Sequence, residues 1–281
     1  MSPAPQGLIM PKGRHSTYRF RHALRMMFQH LWLIALLGVA WEMGSRITGS
    51  PFVPPISLII VQFLRDWTPF NPGGVQNVLD NAFPTLLHML SGWAIAGVIG
   101  IVFGLVLGRI RVLELFAKPL VTFGMNVPPP TLLPLAILLF GFSSEGMLFL
   151  IAFGSVWPVL FNTLDAARSL EPSFIASSRV LHFDRRQFVA RVLLPACSPR
   201  IFAGLRIALS LALILTVIAE MYGATSGIGK TIVSAQRSFL VVEMWSGILM
   251  LALLGVMINR LFLLVEHRLL GWQLGWKQVN R

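Results

Sequence analysis

Long apolar runs separated by short polar segments make up most of the chain. Several runs reach the length of about 18 residues that crosses the hydrocarbon core of a bilayer as a helix. Helices are required there because lipid offers the backbone no hydrogen-bond partner. The pattern therefore predicts an all-α polytopic membrane protein with six transmembrane helices, at about 27–48, 82–108, 119–141, 146–165, 201–222 and 241–265.

Two of the predicted spans carry small or polar residues at intervals of four. Side chains four positions apart lie on one face of a helix, and small ones let a neighbouring helix approach closely. We interpret both stripes as packing surfaces between helices. The stripe on the second span comprises Gly92, Ala96, Gly100, Gly104 and Gly108, and the stripe on the fifth comprises Gly204, Ala208, Ala212, Thr216 and Glu220.

Consecutive prolines at 128–130 interrupt the third predicted span, because proline donates no backbone hydrogen bond and breaks a helix. Broken backbone at membrane depth occurs where it lines a wet cavity or is buried in protein. Both a translocation path and a loop between a re-entrant piece and a shorter span fit this pattern. For Glu220, a path residue and a structural partner to a helix end or the outer loop both remain open. The candidate path residues are Asn126, Pro128, Pro129, Pro130, Ser155, Asn162, Thr216 and Glu220.

A basic, amphipathic insert at about 168–198 separates the fourth span from the fifth. Pro172 predicts the start of a short helix, since proline is tolerated in the first turn. Asp184 followed by Gln187 predicts a capping box at the start of a second helix. The length and charge of the insert indicate that it contacts a partner in the water phase. Two prolines are expected to interrupt its return to the membrane, Pro195 and Pro199.

The charge distribution predicts the orientation in the membrane. The chain has 23 Lys and Arg residues against 11 Asp and Glu, yet only 12% of its residues are charged, where soluble domains have about 25%. Six spans place both termini on one side, together with the basic 1–26 tail, a short 109–118 loop and the insert. The positive-inside rule assigns that side to the cytoplasm, so the charge marks loops and indicates no nucleic-acid partner. The basic residues on the other side are Arg46, Arg65, Lys230 and Arg237.

One segment, ATSGIGKT at 224–231, fits a relaxed phosphate-loop pattern. A nucleotide-binding loop needs a strand before it and a helix N-terminus facing the phosphate in the cytoplasm. This segment instead follows a predicted span and maps to the outside, so we expect no ATP binding by this chain. The sequence shows no hydrolase motif and no metal-ligand spacing, and we expect neither catalysis nor a bound cofactor.

The insert resembles the EAA loop of ABC-importer permeases, whose pattern is E-A-A-x3-G-x9-I-x-L-P. Val192, Leu194 and Pro195 match the end of that pattern. Other segments are similar to the nitrate/sulfonate/taurine branch of these permeases, and the resemblance covers about 50–272. These segments are FGLVLGR (103–109), PPPTLLPLAILLFGFS (128–143), WPVLFNTLDAAR (157–168), PRIFAGLRIAL (199–209) and AEMYGATSGIG (219–229).

The first half of the EAA pattern departs from the family. Ala176 stands at the Glu position, Ser177 and Ser178 at the two Ala positions, and His182 at the Gly position. Histidine adopts a left-handed backbone turn less easily than glycine, so the coupling geometry at Ala176 and His182 is in question. A second, non-identical permease that keeps the standard motif is one explanation, and a second copy of this chain remains open.

The resemblance implies a type I ABC importer permease fold over 27–281, in the bacterial inner membrane. It implies two permease chains, two ATPase subunits that bind ATP and Mg²⁺ in the cytoplasm, and a periplasmic binding protein. The implied solute is an organic or inorganic anion such as nitrate, taurine or a sulfonate. The resemblance assigns contact with the ATPase to Phe174, Ile175, Ala176, Ser177, Ser178, Arg179, Leu181, His182, Asp184, Arg185, Arg186, Leu194 and Pro195.

A stand-alone secondary transporter or channel is the competing class of protein. It predicts charged relay residues inside several spans and inverted repeats. The sequence offers one or two candidate acids and no clear repeat. The long basic insert also lacks an explanation in that class, and the ABC-importer interpretation is therefore favoured.

Overall fold

The computed structural model describes residues 15–271, with side chains from Trp32 onward. Within this range the regular structure is helical and contains no strand. Two π turns, Val78–Ala82 and Val189–Leu193, and a 3-10 turn, Pro129–Leu132, connect some of the helices. The helices are α1 (His15–Thr48), α2 (Ile56–Trp67), α3 (Pro72–Asn77), α4 (Phe83–Arg109), α5 (Arg111–Asn126), α6 (Leu133–Phe140), α7 (Ser144–Arg168), α8 (Pro172–Val180), α9 (Arg185–Phe188), α10 (Leu194–Gly223), α11 (Ile228–Arg237) and α12 (Val241–Leu269).

The described chain divides into two compact units, one before and one after the boundary between Ile60 and Val61. In the first unit, the proline-containing segment after α1 folds back onto that helix. Trp41 Nε1 donates to Pro54 O at 3.1 Å, and Ser45 Oγ donates to Val53 O at 2.5 Å. Two side-chain donors on one helix face thus hold the extended segment.

The predicted tail and first span, 1–26 and 27–48, meet the structure in part. Residues 1–14 lie outside the described residues. Residues 15–26 belong to α1, so this helix begins earlier than the apolar run indicated. The apolar run marks only the part suited to lipid, whereas Arg, Ala, Leu and Met upstream also favour helix and extend it.

In the second unit α4, α7 and α10 pack together along the two stripes of small residues. A Cβ added at Gly100 would lie 2.7 Å from Val159 Cβ, and one added at Gly204 would lie 2.9 Å from Pro158 O. Glycine at these positions lets the helix backbones approach to a separation that a side chain would prevent. The interpretation of both stripes as packing surfaces is confirmed.

A second apolar cluster joins α2, α11 and α12 through Trp67, Ile228 and Leu254. A short polar chain crosses it. Trp67 Nε1 donates to Ser246 Oγ at 3.0 Å, and Ser246 Oγ donates to Asp66 Oδ2 at 2.9 Å. Burial raises the pKa of the Asp66 carboxyl above its usual range, although the Ser246 hydrogen bond acts in the opposite direction.

By length and composition, four helical segments among residues 15–271 can cross a membrane: Pro72–Arg109, Ser144–Arg168, Arg185–Gly223 and Val241–Leu269. A fifth is possible if Arg111–Asn126 and Pro129–Phe140, which are bent by 89° relative to each other, form one broken span. Large apolar side chains on these segments, such as Phe116 and Leu138, are exposed. The protein is therefore a helical, multi-pass membrane protein.

The third predicted span begins earlier than expected. The predicted 109–118 loop is reduced to Ile110, whose extended backbone (φ −113°, ψ 97°) separates α4 from α5. Helix α5 then starts at Arg111, and Glu114 in its first turn pairs with Arg168 of α7 at 2.6 Å. The charged residues of this segment thus lie on a helix. The prediction of a loop was wrong because it took charged residues as a sign of a loop.

The return from the insert to the membrane is also more continuous than expected. Helical backbone runs from Arg185 to Gly223, with Pro195 in the first turn of α10 and Pro199 inside it. Pro195 cannot donate to the carbonyl of Arg191, four residues earlier. The helix nevertheless continues into α10, and Leu194 N–H, just before Pro195, donates to Val189 O in the π turn. The expectation that these prolines interrupt the path was therefore wrong.

Candidate functional site

The insert folds into two short helices, α8 and α9, joined by a tight turn, and we call residues 172–188 the coupling segment. Pro172 is the first residue of α8, as predicted. Gln187 N–H donates to Asp184 Oδ1 at 2.6 Å, and Asp184 N–H donates to Gln187 Oε1 at 3.2 Å. The predicted capping box is confirmed, and it fixes the direction in which α9 leaves the turn.

The turn between the two helices is centred on His182. Its backbone has φ 50°, the left-handed conformation that glycine usually supplies. His182 N–H donates to Arg179 O at 3.1 Å, and Phe183 N–H donates to Ser178 O at 3.0 Å. These two hydrogen bonds form a Schellman motif at the end of α8. The histidine thus adopts the turn expected of the family's glycine, despite its side chain.

The coupling segment presents apolar and basic side chains on its outer surface. Ser178 is buried and its Oγ donates to Ile175 O at 2.8 Å, so this side of α8 faces inward. Val180 and Leu181, at the end of α8, are 75% and 62% exposed. Also exposed are Phe174, Ala176, Ser177, Arg179, Asp184, Arg185 and Arg186.

Phe188, the last residue of the coupling segment, contacts the membrane helices, and two further contacts connect those helices next to it. The Arg109 guanidinium of α4 lies over the Phe188 ring, 5.4 Å from its centroid. Arg200 of α10 pairs with Asp165 of α7. Buried Leu193 packs with Cys197 and with residues of α7 in one cluster, whereas Leu194 is exposed and Pro195 is half-buried. The contact of Arg109 with Phe188 was not predicted from the sequence; an aromatic residue four positions after the capping residue Asp184 was the feature that could have indicated it.

The predicted path residues lie on α5, the proline break that follows it, α7 and α10. Asn126 ends α5 and its Nδ2 donates to Thr122 O at 2.7 Å; the prolines form the break that follows. Gly154 brings the elements together, because a Cβ there would lie 2.8 Å from Pro129 Cβ and 2.2 Å from Leu215 Cδ1. Gly154 precedes Ser155 on α7, and Leu215 precedes Thr216 on α10. The break, α7 at Gly154 and α10 at Leu215 are thus in contact, and Ser155 and Thr216 are the next residues on their helices.

Each of the remaining polar side chains has a distinct environment. Ser155 is fully buried, and its Oγ has no hydrogen-bond partner within the described chain. Thr216 Oγ1 donates to Ala212 O at 2.7 Å. Asn162 lies seven residues after Ser155, about 10 Å further along α7, and its Nδ2 donates to Pro158 O at 2.8 Å. Asn162 is therefore separate from the group around Gly154.

Glu220 lies at the end of α10 in a closed polar cluster. The residue as a whole is 1% exposed. Oε2 accepts from Thr85 Oγ1 at 2.9 Å and from Gly229 N–H at 3.0 Å, and Oε1 lies 3.4 Å from His88 Nδ1. The arrangement matches the structural alternative for Glu220. Its partners were not predicted from the sequence, although Thr85 and His88 are polar residues three positions apart in an apolar run.

The segment that resembles a phosphate loop holds this carboxylate. Gly227 adopts φ 117°, and a Cβ there would lie 2.3 Å from Glu220 Cδ. The Gly229 N–H, in the first turn of α11, points at Glu220. The anion position that a helix N-terminus favours is thus filled by a side chain of the same chain.

Comparison with known proteins assigns the chain to a family. The family described as "Binding-protein-dependent transport system inner membrane component" matches residues 97–271, a range that includes the coupling segment. The chain belongs to this family. The resemblance to ABC-importer permeases is thereby confirmed, and the permease is a transport subunit of that type.

Several curated proteins are similar to this permease. The putative aliphatic sulfonates transport permease protein SsuC of Bacillus subtilis is 32% identical over 182 residues, covering 65% of this chain and 66% of SsuC. The nitrate import permease protein NrtB of Synechocystis is 28% identical, covering 83% of this chain and 86% of NrtB. The bicarbonate transport system permease protein CmpB of Synechococcus elongatus is 28% identical, with 81% and 84% covered.

A solved structure shares the fold of this permease. An inward-facing conformation of the MetNI methionine ABC transporter contains a chain that superposes with a TM-score of 0.55 at 19% identity. The superposition covers 69% of this permease and 93% of that chain. At this level of identity the likeness shows the fold alone.

Proposed function

We propose that this permease is the membrane subunit of an ATP-binding-cassette importer for a small anion. Two permease chains, identical or not, form the pore in the bacterial inner membrane, with six spans each and both termini in the cytoplasm. Two ATPase subunits bind ATP and Mg²⁺ below them, and a periplasmic binding protein delivers the solute. Relatives named for sulfonates, nitrate and bicarbonate support the anion class.

The coupling segment is the observation that carries this proposal. Its Schellman turn and capping box hold two short helices in a defined shape, and its outer surface combines apolar Leu181 with basic Arg179 and Arg185. Such a surface fits a groove that offers apolar and acidic groups. We assign that groove to the ATPase subunit.

The contacts behind the coupling segment suggest how it moves the spans. Arg109 over Phe188 reaches α4, the pair of Arg200 with Asp165 joins α10 to α7, and the cluster around Leu193 packs between them. Because the segment touches one rigid group of helices, closure of the ATPase pair shifts α4, α7 and α10 together. Rocking of such a body alternates the access of the pore between the two sides.

We place the translocation path at the break between α5 and α6, next to α7. A buried hydroxyl with no partner is unfavourable, and Ser155 gains one if a solute or water enters when the helices separate. Asn126 and Asn162 each use an amide N–H on a carbonyl one turn earlier, which leaves the amide oxygen free for further contacts. Thr216 lies beside the same group of residues, whereas Glu220 holds the outer loop and lies outside the path in this proposal.

Charge reversal tests the coupling segment. Arg179→Glu together with Arg185→Glu should abolish co-purification of the ATPase subunits with the permease, because the basic surface becomes repulsive to an acidic groove. Arg65→Glu, an exposed reversal outside the coupling segment, is the matched control and should leave the complex intact. Unchanged complex formation by the double variant refutes docking at this segment.

Transport by the reconstituted complex tests the function. Proteoliposomes that contain the permease, ATPase subunits and binding protein should accumulate nitrate, bicarbonate or taurine, and accumulation should require ATP. A thermal-shift screen of the binding protein with the same anions identifies which solute is delivered. Uptake by the permease alone, without ATPase or binding protein, contradicts the proposal and supports a stand-alone transporter.

A further inference from the structure

A polar cavity of about 330 Å³ lies between the end of α10 and one face of α11. Positions i, i+4 and i+7 of a helix share a face, and on α11 these positions are Lys230, Ser234 and Arg237. All three line the cavity, whereas Ile228 and Ile232 on the same helix are buried. The polar face of α11 is thus turned toward an open space.

The cavity lies at the far end of α10 from the coupling segment. Helix α10 has 30 residues, so it is about 45 Å long at 1.5 Å per residue. The coupling segment precedes its first turn, and the cavity is lined by Glu220, Tyr222 and Gly223 from its last turn. If the coupling segment contacts an ATPase in the cytoplasm, the cavity opens on the outer side of the membrane.

The charge that faces the cavity is positive. The side chain of Glu220 is 0% exposed, and its oxygens accept from Thr85 and Gly229 behind the wall. Lys230 and Arg237 are exposed. Lys230 Nζ donates to Thr225 O, and an ammonium has three donors, so two of its donors remain for a ligand.

We propose that this cavity binds the anionic group of the transported solute, before the solute passes between the spans. The ligand is a small oxyanion such as nitrate or bicarbonate, or the sulfonate group of an organic acid. This inference rests on the proposed function for the direction of transport and the class of solute. Three hydroxyl groups in the wall add hydrogen-bond donors, from Tyr222, Ser234 and Ser238.

Size and charge both suit a transient site. The volume is several times the ~30 Å³ that one water occupies in the liquid, so an anion can enter with part of its hydration. Cations that line a concave surface focus the field and raise the local concentration of an anion. Two cations on an exposed wall attract the solute without burying it, which permits release toward the pore.

Thiol labelling measures the electrostatic preference of the cavity directly. The chain has one cysteine, Cys197, which is 1% exposed at the other end of α10. Because Cys197 is buried, a cysteine introduced by Ser234→Cys is the thiol of this chain that the reagents can reach in the full complex. The probes are two methanethiosulfonate reagents that cross membranes poorly, one with a sulfonatoethyl group and one with a trimethylammonioethyl group. Gln236→Cys, an exposed position of α11 outside the cavity, is the matched control.

Each labelling rate is divided by the rate of the same reagent with a small free thiol, because a thiolate reacts intrinsically faster with the cationic reagent. On this scale we expect the sulfonate reagent added from outside to modify Ser234→Cys at least about tenfold faster than the ammonium reagent. Lys230→Gln with Arg237→Gln in that background should remove the preference, and Lys230→Arg should retain it. Arg237→Gln alone should lower the preference in part, and this variant leaves the Lys230 contact with Thr225 intact. Nitrate, bicarbonate or methanesulfonate should slow the labelling in a saturable way, and the Gln236→Cys control should show neither effect.

Three outcomes overturn the inference. The first is an equal preference at Gln236→Cys, or one that survives both Gln substitutions, because a general surface potential then explains it. The second is a lack of protection by all three anions. The third is a slowing of the labelling of Ser234→Cys that appears only when phosphatidylglycerol is added to a phosphatidylcholine membrane, since the site then binds a lipid headgroup.

The labelling result is separable from the proposed function. If the wild-type complex accumulates an anion but Ser234→Cys shows no anion preference, the cavity inference fails alone. If the preference and protection are present but uptake requires neither ATP nor the binding protein, the proposed function fails while the anion site remains.

Discussion

The carboxylate of Glu220 accepts a hydrogen bond from Gly229 N–H at 3.0 Å, which joins the last turn of α10 to the first turn of α11. The same oxygen accepts from Thr85 Oγ1 of α4 at 2.9 Å. Three helices therefore meet at one buried carboxylate, and the loop between α10 and α11 depends on it.

Glu220→Ala should destabilise the permease, because Gly229 N–H loses its acceptor and Thr85 Oγ1 keeps only the carbonyl of Asn81. A buried donor without a partner costs about 1–3 kcal/mol. Glu220→Gln keeps one acceptor oxygen and should be milder. The midpoint of thermal unfolding in detergent measures both. A midpoint for Glu220→Ala equal to wild type contradicts the structural role, and a selective loss of uptake in Glu220→Gln at unchanged stability supports a path role instead.

Gly227→Ala tests how closely the loop between α10 and α11 approaches that carboxylate. Its Cβ would lie 2.3 Å from Glu220 Cδ, and the backbone has φ 117°. Gly141→Ala is the matched control, since Gly141 also has positive φ (68°) but no neighbour within 4 Å of the added Cβ. Backbone strain of about 1–3 kcal/mol applies to both, so we expect a larger loss of unfolding temperature for Gly227→Ala. Equal losses contradict the contact.

His182→Gly should stabilise the coupling segment, because glycine adopts φ 50° without the cost of about 1 kcal/mol that a side chain adds. His182→Val should be destabilising, since β-branched residues are rare at positive φ. Ser177→Gly, inside α8, is the control and should destabilise the helix by about 0.5 kcal/mol or more. Retention of ATPase subunits during heating measures the three variants. Weaker retention for His182→Gly than for wild type indicates that the imidazole itself contacts the ATPase.

Gly100→Ala should disturb the contact between α4 and α7, because the added Cβ would lie 2.7 Å from Val159 Cβ and 3.0 Å from Leu160 N. Overpacking of this kind costs about 1–3 kcal/mol. Gly73→Ala meets nothing within 4 Å and should be neutral or slightly stabilising. Thermal unfolding distinguishes them, and an unchanged midpoint for Gly100→Ala would show that the helices separate easily.

The stability of wild type relative to Asp66→Asn should depend on pH. Burial raises the pKa of Asp66 in the folded protein above its usual value, which is about 4 in unfolded chains. The folded state then binds more protons, so this contribution is present below pH 4 and is lost as the pH rises through the raised pKa. The stability of Asp66→Asn relative to wild type should therefore increase as the pH rises over that interval. Asp80→Asn, at an exposed carboxylate, is the control, and a difference that does not change with pH excludes this linkage.

Periodic features of the sequence predicted the most. Continuous apolar runs identified a helical membrane protein, and the intervals of four between Gly92 and Gly108 identified the face on which α4 packs. The capping box at Asp184 and the start of α8 at Pro172 were equally local, since each depends on neighbours within one turn. Sequence reasoning succeeded wherever a feature is set by a few adjacent residues.

Features that depend on distant partners were predicted less well. The helical course through Pro195 follows a π turn in which Leu194 N–H donates to Val189 O, and no local sequence pattern predicts such a turn. The left-handed backbone at His182 requires two hydrogen bonds to the end of α8, which outweigh the local preference of histidine. For both residues, local propensity alone pointed the wrong way.

The sequence by itself determined the class of protein, the helices and the position of the coupling segment, because hydrophobic length and helical period act along the chain. Only the tertiary structure decided what Glu220 and the glycine-rich loop at 224–231 do. Their residues are far from Thr85 in sequence, and a carboxylate acquires its environment only when the helices pack. The same packing placed Lys230 and Arg237 around one cavity. Their spacing along the chain puts them on one face of α11, but only the packing of α10 beside that face forms the cavity.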